Sequence, residues 1–259
     1  MTKTVAMMQP YWFPYLGYFQ LIHASDVFVL GDDLQYVTGG WINRNRMLSN
    51  GEPMLFSLPL KKFHSHVAIN QRELSDNVGE MMNKLLKTLS MQYSRAPYRQ
   101  EVMALLQRLM LHPEKNLARY LEYSLRELCA YLGITTPIVR ASDLPIHDVQ
   151  DKQDRVIKTA RCLDADLYLN AIGGMALYDA DYFSRHGMQL RFHRMDELCY
   201  TQFRDPFVAN LSIIDVLMFN SVERVRQFLP CFSSLKPQPS NASQYLASSP
   251  SPIALEMLP

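Results

Sequence analysis

Two short apolar runs flank a helical segment near the N-terminus, and this order constrains the fold more than any other feature of the chain. Thr4 to Met8 and Asp26 to Leu30 have the composition of buried strands, and Leu16 to Ala24 has apolar residues at helical spacing. A strand, a helix and a second strand form the repeating unit of a parallel sheet with right-handed crossovers. The N-terminal region therefore predicts an α/β fold.

The same alternation returns in the second half of the chain. Strands are predicted at Pro137 to Arg140, Asp166 to Asn170 and Leu190 to His193, with helices at Asp151 to Leu163 and Ala180 to His186. Parallel strands need such crossover helices between them. We therefore expect these elements to extend the sheet that the N-terminal strands begin.

Three helices are predicted in the middle of the chain, at Val78 to Tyr93, Tyr98 to Leu111 and Asn116 to Leu132. They follow a hairpin predicted for Met54 to Leu60 and Val67 to Ile69 around a basic turn. The sequence thus predicts a single α/β domain over residues 1–232 with a helical insertion at about 78–132. A disordered tail is predicted at 233–259, where Ser, Pro, Gln and Asn predominate.

The composition excludes several classes of protein. A net charge of +1, from 26 Lys and Arg against 25 Asp and Glu, does not favour nucleic-acid binding. The 4 cysteines are widely spaced without a CxxC pair, which is typical of reduced thiols in the cytoplasm. The sequence has neither a signal peptide nor an apolar run of membrane-spanning length. We expect a cytoplasmic protein without membrane insertion, and the sequence does not indicate its oligomeric state.

Common catalytic motifs are missing from the sequence. It contains no Walker A phosphate loop, no GxGxxG after a strand, no GxSxG elbow and no HExxH helix. His64 and His66 alternate around Ser65, but no third ligand lies at a useful spacing, so no metal site is predicted. Polar residues instead concentrate between Gln9 and Lys62.

The stretch MQPYWFPYLGYFQLI, residues 8–22, follows the first strand and so lies at the carboxyl edge of the sheet, where α/β proteins bind ligands. Pro10 and Pro14 stiffen a loop that carries Tyr11. Gly17 permits close approach to the backbone at the start of a helix, whose free N–H groups attract anions. Gln9 either pins this loop or contacts ligand. The alternative is that the aromatic residues cover the end of the sheet as core.

A second polar stretch, GDDLQYVTGGWINRNR at residues 31–46, follows the second strand and is expected beside the first loop. Asp32 and Asp33 are adjacent, so an extended chain directs them to opposite faces and at most one addresses a given pocket. Arg44 and Arg46 alternate with asparagines, which places both on one face as a fork for phosphate or carboxylate, unless they form a solvated edge. The predicted basic cluster consists of Arg44, Arg46, Lys61 and Lys62.

Further candidates follow later apolar segments. Gly173 and Gly174, flanked by Asn170 and Tyr178, allow backbone contact with a ligand or form an ordinary turn. Asp215 lies on an otherwise apolar helix, where it is either paired with a cation or catalytic, and pairing is favoured.

These segments, with LPLKK, YLNAIGGMALYD and NLSIIDVLMFNSVE, resemble the WbqC-like protein family in order and length from about residue 5 to residue 230. The resemblance implies a bacterial protein associated with O-antigen (lipopolysaccharide) and other surface-polysaccharide biosynthesis. It also implies a glycine or related aminoacyl transferase role on an amino sugar. The residues at motif positions of the family are Gln9, Pro10, Tyr11, Pro14, Gly17, Tyr18, Asp32, Asp33, Gln35, Trp41, Asn43, Arg44, Arg46, Lys61 and Lys62.

A looser likeness links the opening strand, loop, helix and strand to nucleotidylyltransferases and pantothenate synthetases. It implies a fold class of α/β with a Rossmann-like (nucleotidylyltransferase-like) parallel sheet and an inserted helical segment. Those enzymes carry an HxGH-type motif here, whereas this chain reads PYLGYF. We therefore expect the fold to be shared without the adenylate-forming reaction.

The leading hypothesis is an enzyme that transfers a small acyl or aminoacyl group to the amine of a nucleotide-linked amino sugar. The basic cluster would bind the diphosphate, Tyr11 or Trp41 would stack on base or sugar, and Asp32 or Asp33 would accept the proton of the amine. The cofactor is unknown, with ATP or an activated acyl donor as candidates. The alternatives are an adenylate-forming or nucleotidyl-transfer enzyme that uses ATP, and a non-catalytic protein that binds a carbohydrate intermediate.

Overall fold

The computed structural model describes residues 2–63 and 66–237. No helix within these ranges is both long enough and apolar enough to span a lipid bilayer. In chain order the strands and helices are β1 (Thr4–Met8), α1 (Leu16–His23), β2 (Val27–Leu30), β3 (Arg44–Ser49), β4 (Glu52–Ser57), α2 (Val78–Gln92), α3 (Arg99–Met110), α4 (Leu117–Leu132), β5 (Ile138–Arg140), α5 (Lys152–Cys162), β6 (Leu167–Ala171), α6 (Ala180–Arg185), β7 (Gln189–Met195), α7 (Ile213–Phe219), α8 (Val222–Phe228) and β8 (Phe232–Leu235).

Six strands form one sheet in the order β5-β2-β1-β6-β7-β8. The strands from β5 to β7 are parallel to their neighbours, and β8 runs antiparallel to β7 at the edge. The chain proceeds from β1 to β2 and β5 on one side, and then to β6, β7 and β8 on the other. This is the strand order of a doubly wound, Rossmann-like fold, so the predicted fold class is confirmed. The point where the order reverses lies between the carboxyl ends of β1 and β6.

Alternate residues of the central strands are buried on opposite faces of the sheet. Ala6 of β1 and Phe28 of β2 belong to a core with α1, α2, α3, α4, α7 and α8, whereas Val5 and Val29 belong to a second core with α5 and α6. Because helices cover both faces, the strands are almost continuously apolar, as the sequence indicates. The three helices predicted at about 78–132 are present and add to the first core.

The hairpin predicted after residue 54 is wrong in its pairing. β4 pairs with β3 through a tight turn at Asn50 and Gly51, whose φ angles are 53° and 89°. An Asn-Gly turn with two positive φ angles matches the twist of a two-stranded ribbon. Val67 and Ile69 instead hydrogen-bond to the segment that follows β2. His64, in the basic turn, lies outside the described residues.

The sheet continues past the predicted start of the C-terminal tail. Ser233 to Leu235, which we assigned to the tail, are part of β8 and pair with β7. The sequence pattern missed this strand because an edge strand of 4 residues carries little periodicity. The rest of the predicted tail, from residue 238 onward, lies outside the described residues.

The loop between β1 and α1 is a packed element of the core. Trp12 and Phe13 are at most 1% exposed, and the backbone N–H of Trp12 donates to the backbone carbonyl of Ile42 over 3.0 Å. The Phe13 carbonyl accepts hydrogen bonds from two buried side chains, Asn45 Nδ2 and Ser212 Oγ. Phe13 has φ of 44°, a conformation that residues with a Cβ rarely adopt. The two donors therefore hold a backbone conformation whose intrinsic cost is about 1–3 kcal/mol.

We expect Asn45→Ala to lower the free energy of unfolding by about 1–3 kcal/mol, because it removes a buried hydrogen bond to the strained residue. The matched control is Asn83→Ala, which removes an exposed amide that donates to a helix carbonyl. Surface changes of this kind stay within about 0.5 kcal/mol. Urea denaturation of both variants measures the difference, and equal stabilities would contradict the role of Asn45.

Candidate functional site

A cleft of about 480 Å³ opens at the carboxyl edge of the sheet. Its walls come from the β1–α1 loop, the segment that leads into β3, the ends of β6 and β7, and the segments 194–199 and 207–210. It therefore lies at the reversal of strand order, where doubly wound sheets bind ligands. We call it the first cleft, and its lining includes Tyr11, Tyr15, Trp41, Arg46, Ile172 and His193.

Two arginines of β3 lie against one indole ring. The Cζ atoms of Arg44 and Arg46 are each 5.4 Å from the ring centroid of Trp41, so both side chains lie on one side of the strand, as their alternation predicts. Among the described residues neither guanidinium forms an ion pair, and the Nε of each is buried without a hydrogen-bond partner. Two adjacent cations without a counter-ion are arranged to attract an anion.

Tyr11 adds a hydroxyl group to this arrangement. Its ring centroid is 6.4 Å from that of Trp41, and both residues line the first cleft together with Arg46. Burial and the neighbouring Tyr15 raise the pKa of Tyr11, and this outweighs the lowering by the two arginines. The phenol is therefore protonated at neutral pH and is able to donate a hydrogen bond to an anion.

Asp32 and Asp33 point away from the first cleft. Asp32 is buried and accepts hydrogen bonds from the N–H and Oγ of Ser142, at 3.0 and 2.6 Å, and from Asn70 at 3.2 Å. It lines a second, smaller cleft near the ends of β2 and β5. Asp33 forms an ion pair with Arg155 of α5. Neither carboxylate lines the first cleft, so the structure does not bring either of them to the arginine pair, and Oδ1 of Asp33 is buried without a hydrogen-bond partner among the described residues.

The two lysines of the predicted basic cluster line neither cleft. Lys61 forms ion pairs with Glu73 and Asp76, both at 3.0 Å, and the hydrogen bonds to these carboxylates raise its pKa. Lys62 is exposed. The arginine pair is thus the part of the basic cluster that the structure brings to the first cleft.

Three predicted binding residues connect the loops at this edge without lining the first cleft. Gln9 Nε2 is 3.4 Å from the carbonyl of Gln35. The Asn43 amide accepts from the Tyr36 hydroxyl and donates to the Leu58 carbonyl, both over 2.8 Å. These bonds agree with the interpretation that Gln9 pins the first loop, and they give Asn43 the same kind of role.

Gly17 and Tyr18 support the cleft wall from below. The Tyr18 hydroxyl donates to the carbonyl of Gln9 over 2.8 Å, and its side chain is 1% exposed. A Cβ atom at Gly17 would lie 2.4 Å from the ring of Tyr15. The glycine therefore makes room for Tyr15, which lines the first cleft.

The residues predicted at the end of β6 and after it do not line the first cleft, whereas Ile172 of the same segment does. A Cβ atom at Gly174 would lie 2.1 Å from Nδ2 of Asn170, so this glycine accommodates a buried amide. The hydroxyl group of Tyr178 is 3.5 Å from that of Tyr168. A Cβ atom at Gly173 would meet open space, so packing does not explain this glycine.

A buried carboxylate anchors one wall of the first cleft. Asp215 accepts hydrogen bonds from the hydroxyls of Tyr93 and Tyr200, at 2.8 and 2.6 Å, and from Nε2 of Gln202 at 2.8 Å. The predicted pairing with a cation is therefore wrong. Burial raises the pKa of Asp215, and its hydrogen bonds oppose this rise. Tyr200 and Gln202 lie between the lining segments 194–199 and 207–210, whereas Asp215 belongs to α7. These hydrogen bonds therefore attach the intervening segment to α7.

Two polar residues that lie at or close to the first cleft, His193 and Gln20, were not predicted from the sequence. His193 lies near the carboxyl end of β7 and lines the cleft, and its Nε2 is 3.1 Å from Oε1 of the fully buried Gln20. Burial lowers the pKa of His193 to about 4, so its imidazole is neutral at pH 7. A signal was present, because a histidine near the end of a strand at the carboxyl edge is well placed for a ligand site.

Comparison with protein families agrees with the resemblance seen in the sequence. The model of the WbqC-like protein family matches residues 9–227. The chain belongs to the WbqC-like protein family. The matched range begins at the β1–α1 loop and ends in α8, so it contains all the residues that line the first cleft.

One curated relative matches the WbqC-like chain over most of its length. It is the protein of Mycobacterium tuberculosis (strain ATCC 25618 / H37Rv) called uncharacterized protein Rv1507c. The two sequences are 27% identical over 223 residues, which cover 84% of this chain and 94% of the relative. The name of the relative gives no activity. No solved structure matches the chain significantly.

We expect His193 to make the stability of the protein pH-dependent. Its pKa is about 4 in the folded protein, and that of an unfolded histidine is about 6.5. The unfolded chain therefore binds a proton first, and stability is lost as the pH falls through this window, by about 2 kcal/mol between pH 7 and pH 5.

His193→Gln removes the titrating group and keeps an amide near the position of Nε2. Urea denaturation at pH 7 and pH 5 measures the effect, and other titrating groups cancel in the comparison. The wild type is expected to lose about 2 kcal/mol more than the variant. Equal losses would show that His193 is not held neutral by burial.

Proposed function

We propose that this WbqC-like protein transfers a small acyl or aminoacyl (glycyl) group to the amine of a nucleotide-linked amino sugar that binds in the first cleft. The observation that carries the proposal is the contact of Arg44 and Arg46 with Trp41, without a counter-ion among the described residues. Such a pair suits the diphosphate of an activated sugar, because each guanidinium presents planar donors to phosphate oxygens.

The rest of the cleft suits the sugar and base of such a substrate. Its volume of about 480 Å³ lies within the usual range for small-molecule sites. Tyr11 and Tyr15 supply aromatic faces with hydroxyl groups, which bind the mixed polar and apolar surfaces of sugars and bases. Arg46 lines the cleft directly, and Arg44 contacts the same indole ring from outside the lining.

The proposed reaction forms one bond and breaks one bond. The amine nitrogen of the sugar attacks the carbonyl carbon of an activated donor, such as an acyl thioester. The new C–N bond forms, the C–S bond breaks with its electron pair on sulfur, and the nitrogen loses a proton. The site must therefore hold the diphosphate, keep the amine unprotonated and accept one proton.

The biological setting that we propose is O-antigen or other surface-polysaccharide biosynthesis, which is the setting that the sequence resemblance implies. We place the protein in the cytoplasm, because Cys129, Cys162, Cys199 and Cys231 are free thiols, as is usual in a reducing compartment. The proposed partner is a small molecule. The proposal involves neither nucleic acid nor insertion into a membrane.

We expect a nucleoside-diphosphate amino sugar such as UDP-glucosamine to raise the melting temperature, since a ligand of the folded state stabilises it. Arg44→Ala and Arg46→Ala are each expected to weaken this binding by about tenfold or more, because each removes charged hydrogen bonds to phosphate. A thermal-shift panel with UDP, dTDP, UDP-glucosamine, ATP and free glucosamine measures this, followed by calorimetric titration.

Arg95→Ala is the matched control, because Arg95 also stacks on an aromatic ring, Phe203, at 5.5 Å. This variant is expected to bind like the wild type. Stabilisation by ATP alone would favour the adenylate-forming alternative. Failure of every nucleotide to stabilise the protein, or equal effects of all three arginine variants, would contradict the anion site.

A further inference from the structure

We propose that His193 is the base of the first cleft and that Gln20 is the residue that positions it, so that Nδ1 of the imidazole accepts the proton. This inference rests on the proposed function for its substrate. It concerns the proton acceptor of the reaction, a role that the sequence assigned to Asp32 or Asp33, neither of which lines the first cleft.

Contacts from two neighbouring elements fix the position of the His193 ring. His193 lies near the end of β7 and lines the same cleft as Arg46 and Tyr11. Its ring packs on Phe232 of β8, with centroids 4.8 Å apart, and its Nε2 is 3.1 Å from Oε1 of Gln20. The imidazole is thus held by a neighbouring strand on one side and by α1 on another.

The orientation of the Gln20 amide determines which nitrogen of His193 carries the hydrogen. Nε2 of Gln20 donates to the carbonyls of Phe228 and Cys231, over 2.8 and 3.0 Å. A flipped amide would direct an oxygen at two carbonyl oxygens, which is repulsive, so Oε1 faces His193. An amide oxygen is only an acceptor. Nε2 of His193 must therefore carry the hydrogen, and in a neutral ring this leaves the lone pair on Nδ1.

The surroundings of the His193 ring favour its uncharged form. Burial lowers the pKa of His193 to about 4, and its own backbone and Asp196 oppose this shift less strongly. Arg46 and Arg194 line the same cleft together with Asp196 and Glu197, so the charges of the lining balance and burial determines the protonation of the ring. No carboxylate among residues 2–63 and 66–237 forms an ion pair with the ring. The imidazole is therefore unprotonated at neutral pH, as a base must be.

In the reaction, Nδ1 accepts the proton that the sugar nitrogen loses when the new C–N bond forms. The resulting imidazolium keeps its Nε2–H bonded to Gln20, whose dipole stabilises the positive charge. The proton then returns to the leaving thiolate. Gln20 acts only through His193, since it is fully buried beneath the cleft.

The test uses reagents that do not depend on the identity of the substrate. Bromoacetate is a small anion that alkylates neutral imidazole nitrogens with loss of bromide, and bromoacetamide is its uncharged analogue. We expect bromoacetate to modify His193 at Nδ1, located by peptide mass spectrometry. We also expect the arginines to make this reaction about tenfold or more faster than that of bromoacetamide. The exposed His23 is the internal control, which both reagents should modify at similar rates.

Nitrogen-15 NMR of histidine-labelled wild-type protein tests the tautomer directly. The expected result is a protonated Nε2 and an unprotonated Nδ1 on His193 at pH 7. In Gln20→Met, which removes the acceptor, this preference should be lost. The His193→Gln variant lacks the imidazole and therefore assigns the signal of His193. It also keeps a hydrogen-bond donor toward Gln20, so a loss of turnover in a variant that is still folded would identify the basic role and not a structural one.

The outcomes separate the two proposals. No alkylation of His193 by either reagent, or a protonated Nδ1 in the wild type, would overturn the role of His193. Alkylation of His193 at equal rates by both reagents would support the base and contradict the anion site of the proposed function. Faster reaction with bromoacetate that is lost in Arg46→Ala supports both.

Discussion

The walls of the first cleft are joined by hydrogen bonds to the carbonyl of Phe13. It accepts hydrogen bonds from Asn45 of β3 and from Ser212 at the start of α7, so three distant segments meet at one strained residue. Two backbone hydrogen bonds reinforce this junction. The N–H of Ser212 donates to the carbonyl of Arg46, and the N–H of Ile213 donates to the carbonyl of Pro14. The residues that line the cleft flank these anchoring positions. These bonds within the protein therefore hold the walls of the cleft together.

Two charged arginines and one neutral histidine lie at or beside the first cleft. Arg44 and Arg46 repel each other, and contact with the Trp41 ring stabilises each guanidinium only modestly, by about 0.5–2 kcal/mol. His193, in the same cleft, is neutral because burial lowers its pKa. A bound anion would relieve the repulsion and leave the imidazole free to accept a proton. An anionic substrate with a nucleophilic amine fits both halves of this arrangement.

The sequence predicted those features that depend on local patterns. The strands β1 and β2 and the helices between residues 78 and 132 follow from apolar spacing, and the shared face of Arg44 and Arg46 follows from their alternation. The β3–β4 hairpin was missed because the apolar run after residue 53 outweighed the Asn-Gly turn just before it. The roles of the site residues depend on distant partners. Asp32 bonds to Ser142, 110 residues away, and Gln20 to His193, 173 residues away, and no local pattern contains such contacts.

We propose that the arginine pair on Trp41 binds an anion, and the chain offers a direct probe of this site because it has 2 tryptophans. Trp12 is fully buried in the core, whereas Trp41 is only partly buried against the arginines. Fluorine NMR of protein labelled with 5-fluorotryptophan, titrated with inorganic pyrophosphate, reports on each ring separately, and Trp41→Phe assigns the signals. The account predicts a saturable shift of the Trp41 signal and an unchanged Trp12 signal. A Trp41 signal that does not move, or moves only together with that of Trp12, would contradict it.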